Sequence, residues 1–590
     1  MRKTKIVCTL GPASGDIETI KKLILNGMDA ARINFSHGTY ESHGEIIKNL
    51  IAAREELNVP IPLVLDTKGP EIRIKEFSKE VVYLKQGQTF TLTTEDIEGD
   101  ESRVSVTYKN LPYDLRRGSR VLLDDGLIEL RVKNITDTEV ECEVINGGPL
   151  SSKKGVNIPD VYVNLPSLTD KDIEDIKFGI KMGFDYIAAS FVRSANDVIK
   201  IRKILEENGG NNISIIAKIE NRDGVNNIDE ILEVADGIMV ARGDLGVEIA
   251  TEEVPLVQKM LIQKANQVGK PVITATQMLD SMVRNPRPTR AEANDVANAI
   301  FDGTDAIMLS GETAKGSYPV ESVIMMSTIA KRTENSIDYI KNMNEYHRTI
   351  KTDITNAISH ATCTTAADLN AACIVTVTKS GDTARMVSKF RPSAPVLGCT
   401  VEEQTWRQLN LVWGCIPVKT ELKSTTDELF NLAVDKSVEI GVAKTGDIIV
   451  ITAGVPVGIS GTTNILKVHI VGNVLAKGEG IGSKVVSGTA SVIKVVEEAE
   501  KYFKKGDILI THRTNNDFLP YMKKASAIVV EDGEEGENSH AAIVARALDI
   551  PVIIGAKNAV TLIRSGTLIT VDSKNGFIYN GIPEKKTNSK

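Results

Sequence analysis

The sequence predicts an alternating α/β protein built on an eight-stranded (β/α)8 barrel, and three observations carry that expectation. Eight short apolar runs end in polar or Gly residues, each with the length and edges of a strand. Most of the links between them hold one amphipathic stretch of helical period, such as IETIKKLILNG or DVIKIRKILEENGG, the rhythm that closes into such a barrel. Gly is abundant, at 45 residues, and aromatics are only 4% of the chain, which favours tight turns and aliphatic cores.

In order, the runs are KIVCTL (5–10), AARINF (30–35), PLVLDT (62–67), YIAASFV (186–192), ISIIAKIE (213–220), GIMVAR (237–242), PVITATQ (271–277) and AIMLSG (306–311). The third link departs from the pattern. Residues 69–166 read as short alternating strands (VVYLKQGQTFTLTT, RVLLDDGLIELRVKNI, EVECEVINGGPL) with Gly and Asp-Gly turns, an inserted all-β domain. After the barrel, SIDYIKNMNEYHRTI leads into a further α/β unit. A Gly-rich link, GEGIGS (478–483), then reads as a hinge that opens a last domain with one marked helix, SHAAIVARAL. The expected partition is a barrel at 1–68 and 167–340, an inserted β-barrel domain at 69–166, an α/β domain at 341–472 and a final domain at 473–590, with PEKKTNSK as a frayed tail.

Composition narrows the function. At roughly 150 residues per domain, 590 residues suggest about four domains. Seventy Lys and Arg against 78 Asp and Glu give a net charge of −8, which argues against a nucleic-acid partner. No apolar run reaches the roughly 18 residues that span a bilayer, and the apolar start at Ile6 is broken by Gly11-Pro12, so no membrane role or export is expected. The six cysteines include no C-x-x-C pair, which suits core packing and a cytoplasmic location.

The chemistry gathers at the strand ends: Arg32, Asn34 and Ser36; Asp66 and Thr67; Ser190 and Arg193; Lys218 and Glu220; Arg242 and Asp244; Thr274 and Thr276; Ser310 and Glu312. In a barrel these converge on one mouth, the face that carries active sites. Glu220 and Asp244 could hold a divalent metal with water and substrate oxygens. Lys218, two residues from Glu220, shares its face. A cation beside a metal suits a phosphoryl group. Structural alternatives stand beside this reading: Lys218 with Glu220 as a salt bridge closing the barrel end, and Arg32 paired with Asp66. No Walker A loop is present, since Gly269-Lys270 is followed by Pro271, so a nucleotide would be held by basic side chains and metal.

Six motifs, RINFSHG (32–38), LDTKGPEIR (65–73), AKIEN (217–221), VARGDLG (240–246), TATQML (274–279) and MLSGETAKG (308–316), resemble the pyruvate kinase family in its order, with its inserted domain after the third strand. The C-terminal part is similar to the swivelling phosphohistidine domain of phosphoenolpyruvate-utilising enzymes, as in some bacterial members. The resemblance implies a glycolytic enzyme that transfers the phosphoryl group of phosphoenolpyruvate to ADP, giving pyruvate and ATP, as a cytoplasmic homotetramer. It implies Glu220 and Asp244 as ligands of Mg²⁺ (or Mn²⁺), Lys218 and Arg32 on the phosphoryl group, and the amides of Gly243 and Asp244 on the substrate carboxylate. Asn34, Ser36, Asp66 and Thr67 match a K⁺ site, with Glu71 the form seen in K⁺-dependent members. Asn34, His37 and Arg73 correspond to nucleotide-side residues, and Thr276 and Ser310 to hydroxyls near the enolate carbon. Thr276 is expected to orient a water, and the inserted domain to close as a lid.

In the third domain, strand, Gly loop and helix in IVTVTKSGDTARMVSKFRP place Thr378, Ser380, Gly381 and Thr383 where a phosphate could be cradled. An ordinary capped helix is the structural alternative. By resemblance this is a sugar-phosphate effector site, with GVPVGISGTTN (454–464) as its second wall. Trp406, Arg407 and Trp413 are weaker candidates, equally explained by packing. In GENSHAAIVARALDIPVIIG, His540 stands at the phosphohistidine position. Asn538 replaces the usual Thr there, and Glu535 and Glu537 add negative charge, so a structural or oligomer-stabilising role is preferred. A histidine-relay phosphotransferase and a catalytically silent phosphometabolite sensor are the competing functions.

Overall fold

The computed structural model describes residues 1–159, 161, 163–347, 353–421, 425–454 and 463–582. They form two compact units: Met1–Cys363 with Thr376–Leu422 and Ala453–Asn464, and Thr364–Val375 with Lys423–Thr452 and Ile465–Lys590.

In the first unit the eight expected runs are all strands: β1 (Lys5–Thr9), β2 (Ala30–Asn34), β3 (Leu63–Asp66), β4 (Tyr186–Ala189), β5 (Ser214–Ile219), β6 (Gly237–Ala241), β7 (Val272–Ala275) and β8 (Ala306–Leu309). They close into a parallel barrel in which β1 pairs with both β2 and β8. Period-2 alternation sorts the side chains. Ile215, Ala217 and Ile219 of β5 join the large core under the helices, whereas Ile216 joins Val7, Val64, Met239, Ile273 and Met308 inside the barrel. The same inward row continues toward the mouth as Lys218 and Glu220.

The floor of the barrel repeats one device four times. The carboxylate before each even-numbered strand accepts from the first amides of the strand preceding it: Asp29 from Ile6 at 2.7 Å, Asp185 from Leu63 at 2.9 Å, Asp236 from Ile215 at 2.7 Å and Asp305 from Val272 at 3.0 Å. Each carboxylate also pairs with an arginine: Arg2, Arg407, Arg202 and Arg391 respectively. A buried strand end thereby has its orphan N–H satisfied. Arg391 and Arg407 come from the segment carrying the helix Asp382–Ser388 and the parallel strands Val396–Thr400 and Cys415–Lys419, and Leu411 of that segment enters the core inside the barrel. Arg407 and the 4%-exposed Trp413 are thus packing residues, and Trp406 donates to the Pro417 carbonyl.

The insertion has its own apolar core. Its strands form a six-stranded sheet and a two-stranded ribbon, Val81–Leu84 with Gly148–Ser151. The β-barrel closure expected for it is not among the described pairings. The Asp-Gly turn joins Arg120–Leu123 to Ile128–Ile135, with Asp124, Asp125 and Gly126 all at positive φ.

In the second unit, an eight-stranded sheet has a parallel centre, Val485–Val492, Ile508–Thr511, Ala527–Val530 and Val552–Ile554, with antiparallel flanks. One expectation is corrected here. GEGIGS is not a hinge: Glu479–Ile481 is an edge strand paired with Val552–Ile554. Its glycines serve close approach, since a Cβ on Gly478 would lie 2.3 Å from the Ile554 carbonyl oxygen and one on Gly480 2.1 Å from that of Ser573. The helix Val496–Tyr502 joins the expected His540–Leu548. All six cysteines are free and buried.

Lys389, 3% exposed, donates to the Gln267 carbonyl, and burial lowers its ammonium from 10.5 to about 8. The unfolded chain therefore holds more protons between those values, and stability rises with pH across that window. Lys389→Met is expected to raise stability at pH 7 by on the order of 2 kcal/mol, with the gain shrinking above pH 8, as read from melting temperatures over a pH series.

Candidate active site

Four adjacent strands build the centre of the mouth. Asp66 at the end of β3 receives Arg32 Nε from β2 at 2.7 Å and Lys218 Nζ from β5 at 3.1 Å. Lys218 Nζ also lies 3.0 Å from Glu220 Oε1 and donates to Ser190 Oγ at 2.7 Å. Arg32 further donates to Thr9 Oγ1 at 2.8 Å, a residue the sequence reading passed over. Both structural alternatives, Arg32 with Asp66 and Lys218 with Glu220, are thus realised as contacts. They do not exclude a catalytic role, because the same groups face the mouth.

Burial alone would raise the Asp66 carboxyl, but Arg32 and Lys218 hold it below its ordinary range. Burial would likewise lower the Lys218 ammonium, yet Asp66 and Glu220 hold it above its ordinary value. Glu220 goes the other way: burial pushes it up to about 7 against the pull of Lys218, and the charge of Asp244 adds to the rise.

Backbone strain marks two turns at this rim. Phe191 sits at φ +54° and points its N–H at Glu220 Oε2, 2.6 Å away. Thr276, β-branched, sits at φ +70° beside Gln277 at +56°, conformations that such residues adopt only when held. Arg242 does the holding, donating to the carbonyls of Ala275 and Thr276 and pairing with Asp295 at 2.7 Å. Thr276 Oγ1 accepts from the Gly243 amide at 2.7 Å and donates to the Ala275 carbonyl at 2.6 Å. Gly243 and Asp244 occupy the first turn of the helix Arg242–Glu248, where amides lack intrahelical partners.

Several strand-end candidates serve structure. Arg193 donates to the carbonyls of Val163 and Leu165. Thr274 bonds Thr304 below the mouth, and Glu312 accepts from the amides of Leu279 and Ser310. Ser310 Oγ, by contrast, is a buried hydroxyl without a partner among the described residues. Of the four proposed K⁺ ligands, Asn34 and Asp66 are register partners on β2 and β3, Asn34 Oδ1 accepts from the Ser36 amide, and Thr67 Oγ1 accepts from the Ser190 amide. Arg73 grips Glu71 through two bonds of 2.6 and 2.7 Å and the Lys153 carbonyl through another; Lys68 completes the Glu71 pairing at 2.9 Å. His37 is exposed.

A cleft of about 300 Å³ runs between insertion and barrel, and Arg73, Asp125, Lys154, Phe191, Asn221 and Asp244 are among its walls. Sequence reading missed Asp124, Asp125 and Lys154. The signal was the Asp-Asp-Gly turn, read only as a hairpin. Burial and the charges of Asp124 and Asp244 raise the Asp125 carboxyl.

The proposed effector loop satisfies itself: Gly381 N donates to Thr378 Oγ1, Ser380 Oγ to Asp382, and Thr383 bonds Thr463. Residues 455–462 of the second wall lie outside the described residues. In the last domain His540 has both ring nitrogens engaged, Nδ1 with Thr514 Oγ1 at 3.0 Å and Nε2 with Asn516 Oδ1 at 3.2 Å.

A (β/α)8 barrel with a buried lysine, a buried arginine and carboxylates at its mouth, beside a cleft walled by an inserted β-domain, has the architecture of a barrel enzyme. Residues 1–323 match the family described as pyruvate kinase, barrel domain; 356–469 match pyruvate kinase, alpha/beta domain; and 503–576 match PEP-utilising enzyme, mobile domain. The chain is 52% identical over 582 residues to a pyruvate kinase of Geobacillus stearothermophilus, covering 98% of this chain and 99% of the relative. It is 52% identical over 583 residues to one of Bacillus licheniformis and 50% identical over 583 residues to one of Staphylococcus aureus (strain MRSA252), with the same shares covered. The chain belongs to the pyruvate kinase family, and so to the phosphotransferases.

Asp66 is the anion between two buried cations. Asp66→Asn is expected to destabilise the protein by about 3 kcal/mol, because Arg32 and Lys218 then lose a shared counter-charge; a drop in melting temperature against wild type checks it.

Proposed function

We propose that the protein transfers the phosphoryl group of phosphoenolpyruvate to ADP, releasing pyruvate and ATP. The observation that carries this reading is the Lys218 ammonium, buried yet held charged among Asp66, Glu220 and Ser190. Lys218 and Arg32 face the mouth as the cations that offset charge spreading over the phosphoryl oxygens. The amides of Gly243 and Asp244 receive the substrate carboxylate, with Thr276 Oγ1 exchanging its Gly243 bond for that role. Thr276 is engaged on both sides, so Ser310, whose hydroxyl has no partner among the described residues, joins it in holding the water that protonates the enolate carbon.

Glu220 and Asp244 suit a divalent cation. Burial and mutual repulsion disfavour the ionised Glu220, and a cation shared by the two carboxylates removes that penalty. Among the described residues no cluster of three His, Cys, Asp or Glu completes a protein cage, which suits Mg²⁺ or Mn²⁺ retaining water and substrate oxygens. When bound, the metal supplies Lewis-acid stabilisation of the enolate oxygen. Asn34, Ser36, Asp66 and Thr67 offer an all-oxygen set for K⁺. Asn34, His37 and Arg73 lie on the ADP side, with the insertion excluding water from the cleft.

A phosphorylated metabolite at Thr378, Ser380, Gly381 and Thr383 is the proposed effector, and a cytoplasmic homotetramer the proposed assembly. Exposed Leu256, Phe301 and Ile324 on three barrel helices support the latter.

The test is ADP-dependent pyruvate release from phosphoenolpyruvate, with and without K⁺. Lys218→Met is expected to abolish turnover and removal of K⁺ to depress it, while His540→Ala leaves it nearly intact. No ADP-dependent pyruvate from the wild type would sink the reading, and loss of turnover in a folded His540→Ala protein would favour the histidine relay.

For the effector, a thermal-shift series with fructose bisphosphate, ribose and glucose phosphates and AMP is expected to give a stabilising compound whose effect shrinks in Ser380→Ala. A stabilisation unchanged by that substitution would move the site elsewhere.

A further inference from the structure

We infer that Arg193 is a positioning residue that clasps the returning strand of the inserted domain to the barrel and thereby sets the nucleotide end of the cleft; this rests on the reading of the barrel mouth as a phosphoryl-transfer site.

Arg193 is fixed to the barrel at its own backbone. Its N–H donates to Asp197 Oδ2 at 3.0 Å, on the helix Ala195–Glu207, and its carbonyl accepts from Asn227 Nδ2 at 2.8 Å. The guanidinium is spent on the other body. Nη1 donates to the Val163 carbonyl at 2.9 Å and Nη2 to the Leu165 carbonyl at 2.8 Å, with Asp197 3.8 Å from Nε as its counter-charge. The Leu165 amide closes back on the Val163 carbonyl at 2.9 Å, so the two acceptors are presented together.

The side chains of Val163 and Leu165 pack against the insertion's apolar core. A pull on either carbonyl is therefore a pull on that core. A planar guanidinium offers N–H groups on two separate nitrogens in a fixed fork that spans two such acceptors. The outgoing strand is pinned separately: Gly69 N donates to Asp172, and a Cβ on Gly69 would lie 2.8 Å from Ser190 Cβ and 2.9 Å from the Phe191 ring. The outgoing segment is thus held by close packing as well as a hydrogen bond, whereas the returning segment is held to the barrel through the Arg193 guanidinium. Further out, Asn157 bonds Glu248 across the cleft at 2.8 Å.

Arg193 lines the cleft, but its bonds go to carbonyls and none reaches Lys218, Glu220 or Asp66. Its loss should thus spare chemistry confined to the barrel and damage what needs the insertion in place. The test compares wild type, Arg193→Gln and Arg193→Lys in three measurements. In steady state, Arg193→Gln is expected to raise the KM for ADP roughly tenfold, the worth of about one charge-assisted bond, with a smaller change in the KM for phosphoenolpyruvate; Arg193→Lys, able to reach one carbonyl, should lie between. Exchange of the pyruvate methyl protons with solvent, which on the proposed reading is carried by Thr276 and Ser310 at the barrel mouth, is expected to stay within about twofold. Limited thermolysin digestion is expected to cut residues 163–168 several times faster in Arg193→Gln.

An unchanged KM for ADP in an active enzyme overturns the inference, as does proton exchange that falls in step with turnover, since that places Arg193 on the reacting atoms or in the fold at large. If the wild type itself releases no ADP-dependent pyruvate, the functional reading fails, and the digestion alone decides the clasp: equal cleavage of the three proteins overturns it.

Discussion

The site depends on one constraint: two cations and two carboxylates are buried together, and none of them is tolerable alone. Lys218 and Arg32 converge on Asp66, and Lys218 also meets Glu220. An unpaired charge at such depth would neutralise or force the mouth open. Paired, the four groups fix the ends of β2, β3 and β5 relative to one another, and Asp66 and Glu220 hold the buried Lys218 ammonium above its ordinary range. The pairing that closes the barrel end gathers the groups that the proposed reaction would draw on.

The rest of the first unit keeps that arrangement in register. At the floor, four aspartates hold strand ends, and two of their arginine partners come from the segment below, so that segment is fastened to β4 and β8 at the end opposite the mouth. At the rim, strain is concentrated where a backbone group must point somewhere specific. Phe191 turns its amide to Glu220, and Arg242 holds Thr276 in a conformation that brings its hydroxyl to Gly243. These residues are costly locally and are over-determined by their neighbours, as persistent backbone strain has to be.

Much of this was legible in the sequence because it follows from periodicity. Eight apolar runs with polar ends dictate eight strands with a chemical mouth, and alternation puts Lys218 and Glu220 on one face. The four-fold aspartate device went unread, although Gly-Met-Asp, Gly-Phe-Asp, Ala-Asp and Gly-Thr-Asp stand before alternate strands, because each reads as loop sequence until the barrel is assumed. What misled was composition taken as flexibility. GEGIGS has the glycines of a hinge, but they are present because neighbouring carbonyls approach too closely for a Cβ. Which polar strand ends face substrate was not legible either: Arg193, Arg242, Thr274 and Glu312 look like Lys218 on paper, and each is spent on backbone or on a neighbouring side chain.

The sequence by itself determined the eight barrel strands and the place of the insertion between the third and fourth, and it nominated the polar residues at the strand ends, since each depends on local pattern and covalent order. Only the tertiary structure decided which of those residues remain available, because availability depends on partners far away in the chain: Asp66 lies 152 positions from Lys218, and Val163 lies 30 from Arg193. The charge that Lys218 keeps and the carbonyls that Arg193 holds are properties of neighbours that no local pattern could supply.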